Sequence, residues 1–261
     1  MDLGLTGKLV VVTGGGAGIG QGISRACLAE GARVVVLGRH SKNVEDFMVE
    51  MKGAEAPCDL VEAHLEDTAR CKSAIAEIEQ KFGDIFGLVN NAGVNDGVGL
   101  ASGSVEKFLE SLQMNLVHCY ALAHFALAGL KRTKGAIVNI SSKVAMTGQG
   151  NTSGYAASKG AQLALTREWA AELLPDGVRV NAVLPAEVMT PLYERWLKTL
   201  GDPEAKLREI TSKIPLGHRM TTQAEIAAAA VFLLSPTQSG HTTGQHLIVD
   251  GGYVHLDRAL T

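Results

Sequence analysis

Short runs of β-branched and aliphatic residues recur along this chain, and each is followed by a stretch of helical periodicity. We predict buried strands over residues 8–12, 33–37, 54–58, 86–89, 135–141, 178–184 and 246–250. Apolar residues spaced three and four apart predict helices over residues 21–30, 66–82, 105–129, 155–174 and 225–234. Continuous apolar strands are typical of a parallel sheet covered on both faces. We therefore predict an α/β fold: a doubly wound, parallel, seven-stranded sheet with helices on both faces.

Residues 190–222 depart from this alternation. They contain the prolines Pro203 and Pro215 and the aromatic residues Tyr193 and Trp196. The pattern predicts two short helices on an excursion from the sheet, a candidate lid over a substrate site. The chain has no internal repeat, low-complexity segment or linker, so residues 1–261 are predicted to form one domain.

Composition excludes several classes of partner. The chain has 261 residues, of which 46% are hydrophobic, enough for one sizeable core. Its net charge of −3 and lack of basic clusters argue against nucleic acid and membrane surfaces as partners. No signal pattern precedes the first strand, and we expect a soluble, cytoplasmic protein. Four scattered cysteines indicate a reduced compartment and no metal site: Cys27, Cys58, Cys71 and Cys119.

A glycine-rich turn lies between the first strand and the first helix. Its glycines follow the spacing G-x-x-x-G-x-G. Glycine lets the backbone approach a pyrophosphate closely, and the helix N-terminus then meets the phosphate charge. A glycine run alone is often only a turn, but the strand and helix around it favour a dinucleotide site. The predicted phosphate cradle comprises Gly14, Gly18, Ile19 and Gly20.

The end of the second strand bears on the choice of cofactor. An acidic residue there would bind the adenosine ribose hydroxyls and favour NAD, but this chain has Gly38 followed by Arg39. An arginine at that place can pair with a 2′-phosphate, which favours NADP with NAD tolerated. The alternative is that Arg39 only stacks on adenine or is solvated.

Three polar residues point to acid–base chemistry. Tyr155 and Lys159 are one helical turn apart on a shared face, and Ser142 lies at the end of the fifth strand. An ammonium group beside a phenol favours the phenolate, so Tyr155 can act as a base near neutral pH while the Ser142 hydroxyl steadies the reacting oxygen. By itself this spacing is weak, since an exposed tyrosine often lies beside a solvated lysine.

Taken together, these motifs resemble the short-chain dehydrogenase/reductase family over residues 8–253. The residues that carry the resemblance are Thr13, Gly14, Gly18, Ile19, Gly20, Asn90, Asn91, Ala92, Gly93, Asn115, Ser142, Tyr155 and Lys159. It implies a Rossmann fold, a bound NAD(P) and a homotetramer.

The resemblance also implies individual roles. It makes Tyr155 the catalytic acid/base, Ser142 the donor to the substrate oxygen, and Lys159 the group that lowers the tyrosine pKa and holds the ribose hydroxyls. Asn115 would kink its helix and hold a proton-relay water, although buried asparagines often only satisfy their own helix. The implied cofactor contacts are Asp59 and Leu60 at adenine, Asn91, Ala92 and Gly93 at adenosine, and Val188 and Thr190 at the carboxamide and pyrophosphate.

One segment departs from the family pattern, because Pro185 is followed by Ala186 and Glu187 rather than glycine. This places a carboxylate at the mouth of the site. Residues 142–143, 185–191 and 251–260 resemble a narrower group, the bacterial L-fucose dehydrogenases. That resemblance implies oxidation of the anomeric C1 hydroxyl of an aldose, L-fucose, D-arabinose or L-galactose, to the aldonolactone.

The sequence leaves two questions open about the substrate. Besides Ser142, the candidate substrate residues are Lys143, Glu187, Asn95, Gln149, Asn151 and Trp196, each of which can instead be an ordinary loop or lid residue. The same catalytic set would also serve an NADPH-dependent reductase of a 3-oxo or steroid-like carbonyl. A cofactor-sensing protein without chemistry is disfavoured, because both Tyr155 and Lys159 are present.

Overall fold

The apolar runs form a single parallel sheet. The computed structural model describes residues 2–256. Its strands are β1 Leu9–Thr13, β2 Arg33–Gly38, β3 Cys58–Glu62, β4 Gly87–Asn90, β5 Ala136–Ile140, β6 Arg179–Pro185 and β7 His246–Val249. They lie in the order β3-β2-β1-β4-β5-β6-β7, and every neighbouring pair is parallel. The order reverses between β1 and β4, where parallel α/β sheets open a binding crevice.

Helices cover both faces of the sheet, as predicted. They are α1 Gly18–Ala29, α2 Lys42–Gly53, α3 Thr68–Phe82, α4 Val105–Leu112, α5 His118–Thr133, α6 Ser153–Glu172, α7 Pro191–Leu197, α8 Pro203–Ser212 and α9 Gln223–Leu234. Successive strand residues face opposite sides, so β1 contributes to two cores. Val11 packs with α3, α5 and α6 on one face, whereas Val10 packs with α1, α2 and α9 on the other.

The third strand lies four residues later than predicted. The sequence predicts it over residues 54–58, but residues 54–57 connect α2 to β3, Glu55 there has φ 51°, and only Cys58 belongs to the strand. The prediction is wrong because the pattern of α2 was not recognised, and the connection that follows this helix was assigned to the strand. The signal was present: Val44, Phe47 and Met51 follow the helical spacing and are buried.

The long helix predicted over residues 105–129 is interrupted. Between α4 and α5 the chain makes a π-helical turn over Gln113–Val117, which contains the buried Asn115. Such turns insert one residue into a helix and often mark functional sites. The two short helices predicted within residues 190–222 are confirmed as α7 and α8.

No helix within residues 2–256 is both long enough and apolar enough to cross a membrane. In the same part of the chain, no group of three His, Cys, Asp or Glu side chains is arranged to hold a metal ion.

Candidate active site

A cleft of about 1140 Å³ opens at the carboxyl edge of the sheet, where β1, β4, β5 and β6 end. It brings together most of the residues that the sequence analysis assigned to catalysis and cofactor binding. Those that line it are Gly14, Gly18, Ile19, Asn91, Ala92, Gly93, Ser142, Tyr155, Lys159, Val188 and Thr190.

The glycine turn leaves no room for side chains. Gly14 and Gly18 have φ angles of 63° and 53°, which favour glycine. A Cβ on Gly20 would lie 2.3 Å from the Gly14 carbonyl oxygen and 2.5 Å from Nδ2 of Asn91. α1 begins in this turn at Gly18 and points its free amide groups toward the cleft. This glycine-rich cradle at a helix N-terminus fits a dinucleotide pyrophosphate.

The segment after β4 is hydrogen-bonded to the end of β1. Oγ1 of Thr13 accepts hydrogen bonds from the backbone amides of Asn91 and Ala92, both at 2.9 Å, and the Asn91 side chain donates to the Thr13 carbonyl at 2.8 Å. Asn90 instead donates to Asn139 at 2.9 Å, so its amide ties the ends of β4 and β5 together. The segment that the resemblance assigns to adenosine is therefore held by both neighbouring strands.

Ser142 and Tyr155 meet at the centre of the cleft. Ser142 follows the end of β5 and caps a short 3₁₀ turn, where its Oγ accepts from the Val144 amide at 3.4 Å. Tyr155 projects from the first turn of α6 and is hydrogen-bonded to Ser142. Burial raises the pKa of Tyr155, and the hydrogen bond from Ser142 opposes this by lowering it. The geometry places a serine hydroxyl and a phenol where both can contact one oxygen atom.

Lys159 is buried beneath Tyr155. Its Nζ lies 5.5 Å from the tyrosine ring centroid, donates to the Ile140 carbonyl at 2.8 Å and contacts Oε1 of Gln162 at 3.4 Å. Burial lowers the pKa of Lys159 to about 8. Burial raises the pKa of Tyr155 in the protein alone, so the role that the resemblance gives Lys159, lowering the pKa of this phenol, stays a prediction.

Asn115 lies behind the cleft rather than in its lining. Its Oδ1 accepts from the Val94 amide at 2.7 Å, and its Nδ2 donates to the Ser111 carbonyl at 3.0 Å. Its own carbonyl accepts from Nε2 of Gln162 at 3.2 Å. The predicted distortion of the helix is present as the π-helical turn, and the proton-relay role of Asn115 stays a prediction. Gln162, which joins Asn115 to Lys159, was missed because it looks like an ordinary helix residue.

The predicted adenine contacts Asp59 and Leu60 are wrong. They lie inside β3, level with Val35 and Val36 in the register, and not beyond its end. The Asp59 carboxylate is paired with Arg33 at 3.0 Å. The cause is the four-residue error in the position of this strand.

The residues that follow β3 at the carboxyl edge are instead Leu65 and Glu66. They line a second pocket, of about 710 Å³, together with Gly38 and Arg39. The sequence would have indicated Leu65 and Glu66 if α2 had been recognised, because the end of β3 would then have been placed correctly.

Comparison with known proteins agrees with this geometry. A family model described as enoyl-(acyl carrier protein) reductase matches residues 14–254. The chain belongs to the short-chain dehydrogenase/reductase family. Bovine L-fucose dehydrogenase is 39% identical and covers 94% of this chain and 89% of its own length.

Solved structures of this family superpose closely. The Cj0485 dehydrogenase is 44% identical, with a TM-score of 0.94 over 100% of this chain and 99% of its own. The ligand-free aldohexose dehydrogenase of Thermoplasma acidophilum is 31% identical, with a TM-score of 0.88 over 99% of this chain and 98% of its own. Other members are reductases, such as L-xylulose reductase, so membership alone leaves the substrate open.

A buried ion pair lies next to the cleft, where the family pattern has proline and glycine. Its residues follow Ser142 and Ala186 in the chain, but they do not line the cleft themselves. Lys143 and Glu187 form this ion pair, with side chains only 11% and 13% exposed. The Tyr193 hydroxyl donates to Oε2 of Glu187 at 2.8 Å, and Nζ of Lys143 lies 4.2 Å from the ring centroid of Tyr253. We call Lys143, Glu187 and Tyr193 the polar wall. The alternative of a solvated Lys143 is thereby excluded.

The other substrate candidates are more remote. Asn95, Gln149 and Asn151 are exposed loop residues that do not line the cleft. Trp196 is 43% exposed and packs edge-on against Tyr193 at 5.2 Å. Tyr193 itself lines the cleft and was missed, because its position on α7 looked like part of a lid. The resemblance noted over residues 251–260 falls partly on residues 257–260, which lie outside the described part of the chain.

Proposed function

We propose that this enzyme oxidises the anomeric C1 hydroxyl of an aldose, L-fucose, to the aldonolactone with NAD(P). The observation that carries the proposal is the polar wall beside the Ser142–Tyr155 pair. Relatives named as L-fucose dehydrogenase and aldohexose dehydrogenase support the same substrate class.

The polar wall suits a substrate rich in hydroxyl groups. A buried ion pair loses hydration, and this cost is offset only when its remaining donors and acceptors are satisfied. The Lys143 ammonium carries three donors, and a sugar ring supplies acceptors for those that Glu187 leaves free. A steroid or another apolar carbonyl compound offers no such partners. A site built to hydrogen-bond hydroxyl groups strongly rejects analogues that lack them.

The catalytic residues have separable tasks. Tyr155 accepts the proton of the C1 hydroxyl, while Ser142, already hydrogen-bonded to Tyr155, holds the same oxygen. Lys159 is held by the Ile140 carbonyl at the edge of the cleft, where its ammonium can bind ribose hydroxyls. When bound, an oxidised nicotinamide supplies the hydride acceptor and a positive charge. Positive charge next to Tyr155 lowers its pKa and offsets the effect of burial.

The decisive experiment is a panel of sugars assayed with each cofactor by absorbance of the reduced form. We expect turnover of L-fucose, D-arabinose and L-galactose, and inhibition without turnover by 1,5-anhydro-L-fucitol, which lacks the C1 hydroxyl. Tyr155→Phe should reduce kcat by at least ~10²-fold, because it removes the base, while cofactor binding is retained. Reduction of a 3-oxo or steroid ketone, with no oxidation of any sugar, would instead establish the alternative.

Glu187→Gln tests the polar wall directly. The amide keeps the shape of the side chain but leaves the buried Lys143 without its carboxylate partner. We expect KM for the sugar to rise while the cofactor Kd stays unchanged. Glu209→Gln is the matched control, since Glu209 pairs with Lys206 and Lys213 on the exposed surface of α8. An unchanged KM in the Glu187 variant would remove the polar wall from the substrate site.

The homotetramer and the cytoplasmic location implied by the sequence stay predictions. Sedimentation velocity at micromolar protein concentration tests the first, and cell fractionation tests the second.

A further inference from the structure

The pocket behind the glycine cradle contains an ion pair that the proposed reaction does not use. This adenine-end pocket, of about 710 Å³, lies next to Gly14 and is lined by Gly38, Arg39, Leu65 and Glu66. Within it, Nη2 of Arg39 donates to Oε1 of Glu66 at 2.8 Å. The arginine that the sequence analysis offered to a 2′-phosphate therefore already has a carboxylate partner.

Glu66 is held in place from several sides. Its backbone carbonyl accepts from Nε2 of Gln113 at 2.8 Å, so the π-helical turn between α4 and α5 fixes its position. Nδ1 of His64 lies 3.4 Å from the same carboxylate oxygen that Arg39 contacts. Burial raises the pKa of Glu66, but hydrogen bonds from its own amide, Arg39 and His64 outweigh it and leave the pKa below its usual value. The carboxylate is therefore ionised at neutral pH.

A carboxylate at this place opposes a 2′-phosphate in two ways. It occupies a donor of the Arg39 guanidinium, and its negative charge repels a phosphate brought to the same donor. The 2′-hydroxyl of an unphosphorylated ribose carries no charge and can donate a hydrogen bond to a carboxylate. Gly38, at the end of β2, adds no side chain that would keep the ribose away.

We propose that Glu66 is a specificity-determining residue that selects against the 2′-phosphate, so that NAD is preferred over NADP. The proposal rests on the dinucleotide site of the proposed function, but it does not depend on which substrate is oxidised. Because Arg39 is paired with Glu66, the presence of this arginine no longer favours NADP.

The test is calorimetric titration with two cofactor fragments, 5′-AMP and 2′,5′-ADP, which differ only in the 2′-phosphate. The wild type should bind 5′-AMP at least as tightly as 2′,5′-ADP. Glu66→Gln should tighten 2′,5′-ADP by about five- to tenfold, as expected for removing one repulsive charge near a partly exposed phosphate, and leave 5′-AMP within about twofold. Adding Arg39→Leu to Glu66→Gln should abolish that gain.

The matched control is Asp84→Asn. Asp84 pairs with Arg132 through two hydrogen bonds of 2.6 and 2.8 Å, and it lies before β4, at the opposite edge of the sheet. This variant loses the same charge and frees an arginine, yet should leave both affinities unchanged. The proposal is overturned if the wild type binds 2′,5′-ADP more tightly, if Glu66→Gln improves both ligands equally, or if the gain persists without Arg39. Because no sugar is present, a failure to oxidise L-fucose would not affect this result.

Discussion

Asn115 is the residue whose replacement gives the sharpest test of the architecture behind the cleft. It is fully buried and makes two side-chain hydrogen bonds to backbone groups, to the Val94 amide and the Ser111 carbonyl. Asn115→Leu keeps a side chain of similar size but removes both bonds. Val94 lines the adenine-end pocket, so we expect the change to reach that pocket as well.

The expected loss of folding stability in Asn115→Leu follows from these two hydrogen bonds. Leaving the Val94 amide without a partner costs about 1–3 kcal/mol, and losing the bond to Ser111 adds about 1 kcal/mol. A total of about 3 kcal/mol corresponds to a fall in Tm of roughly 6–12 °C for a domain of this size. The fall should be measured by circular dichroism at matched protein concentration. Weaker cofactor binding should accompany it.

Leu109→Asn provides the control for this experiment. It makes the reverse exchange at a position on α4 that is 58% exposed. Its effect should stay within about 0.5 kcal/mol, the range of ordinary surface substitutions. If Asn115→Leu melted within about 2 °C of the wild type, the two hydrogen bonds would not stabilise this region as argued.

Two further predictions concern the cleft. Gly20→Ala should abolish cofactor binding in a titration, because its Cβ would lie 2.3 Å from the Gly14 carbonyl oxygen. The control Gly53→Ala should bind the cofactor normally, because a Cβ there would meet nothing within 4 Å. Cofactor binding by Gly20→Ala would contradict the cradle. Burial lowers the pKa of Lys159 to about 8, below its value in the unfolded chain. The stability of the wild type relative to Lys159→Met should therefore rise by up to about 3 kcal/mol as pH increases from about 8 to about 10.5. A difference in Tm between the two proteins that stays flat or falls over that pH range would show that the amine is not buried as described.

The sequence predicts the central strands and the cleft well, because their signals are local. β1, the glycine turn and α1 are contiguous, and the Tyr155–Lys159 pair lies on one helix, so periodicity and spacing suffice to identify them. The error in the third strand had a physical cause, since a short edge strand with polar residues such as Asp59 has a weak pattern. Missing α2 then shifted the strand and misplaced the adenine contacts.

The remaining features of the site depend on contacts between distant parts of the chain. Lys143 and Glu187 are 44 residues apart, and Arg39 and Glu66 are 27 residues apart. The residues around each charged side chain give no indication that the two partners of a pair are in contact. The same holds for the pKa of Tyr155, because burial, which the sequence does not give, raises it.

The π-helical turn constrains how the α4–α5 segment can change by insertion or deletion. The wider turn absorbs its extra residue with little net rotation, because about five of its residues span the angle that about four residues of an α-helix span. Deleting one residue of Gln113–Val117 would therefore restore regular hydrogen bonding and keep the buried face of α5, with Leu122, Ala126 and Leu130, toward the sheet. Deleting one residue within α5 itself would instead turn the rest of that face by about 100°, so a one-residue deletion is compatible with the core only at the π-helical turn.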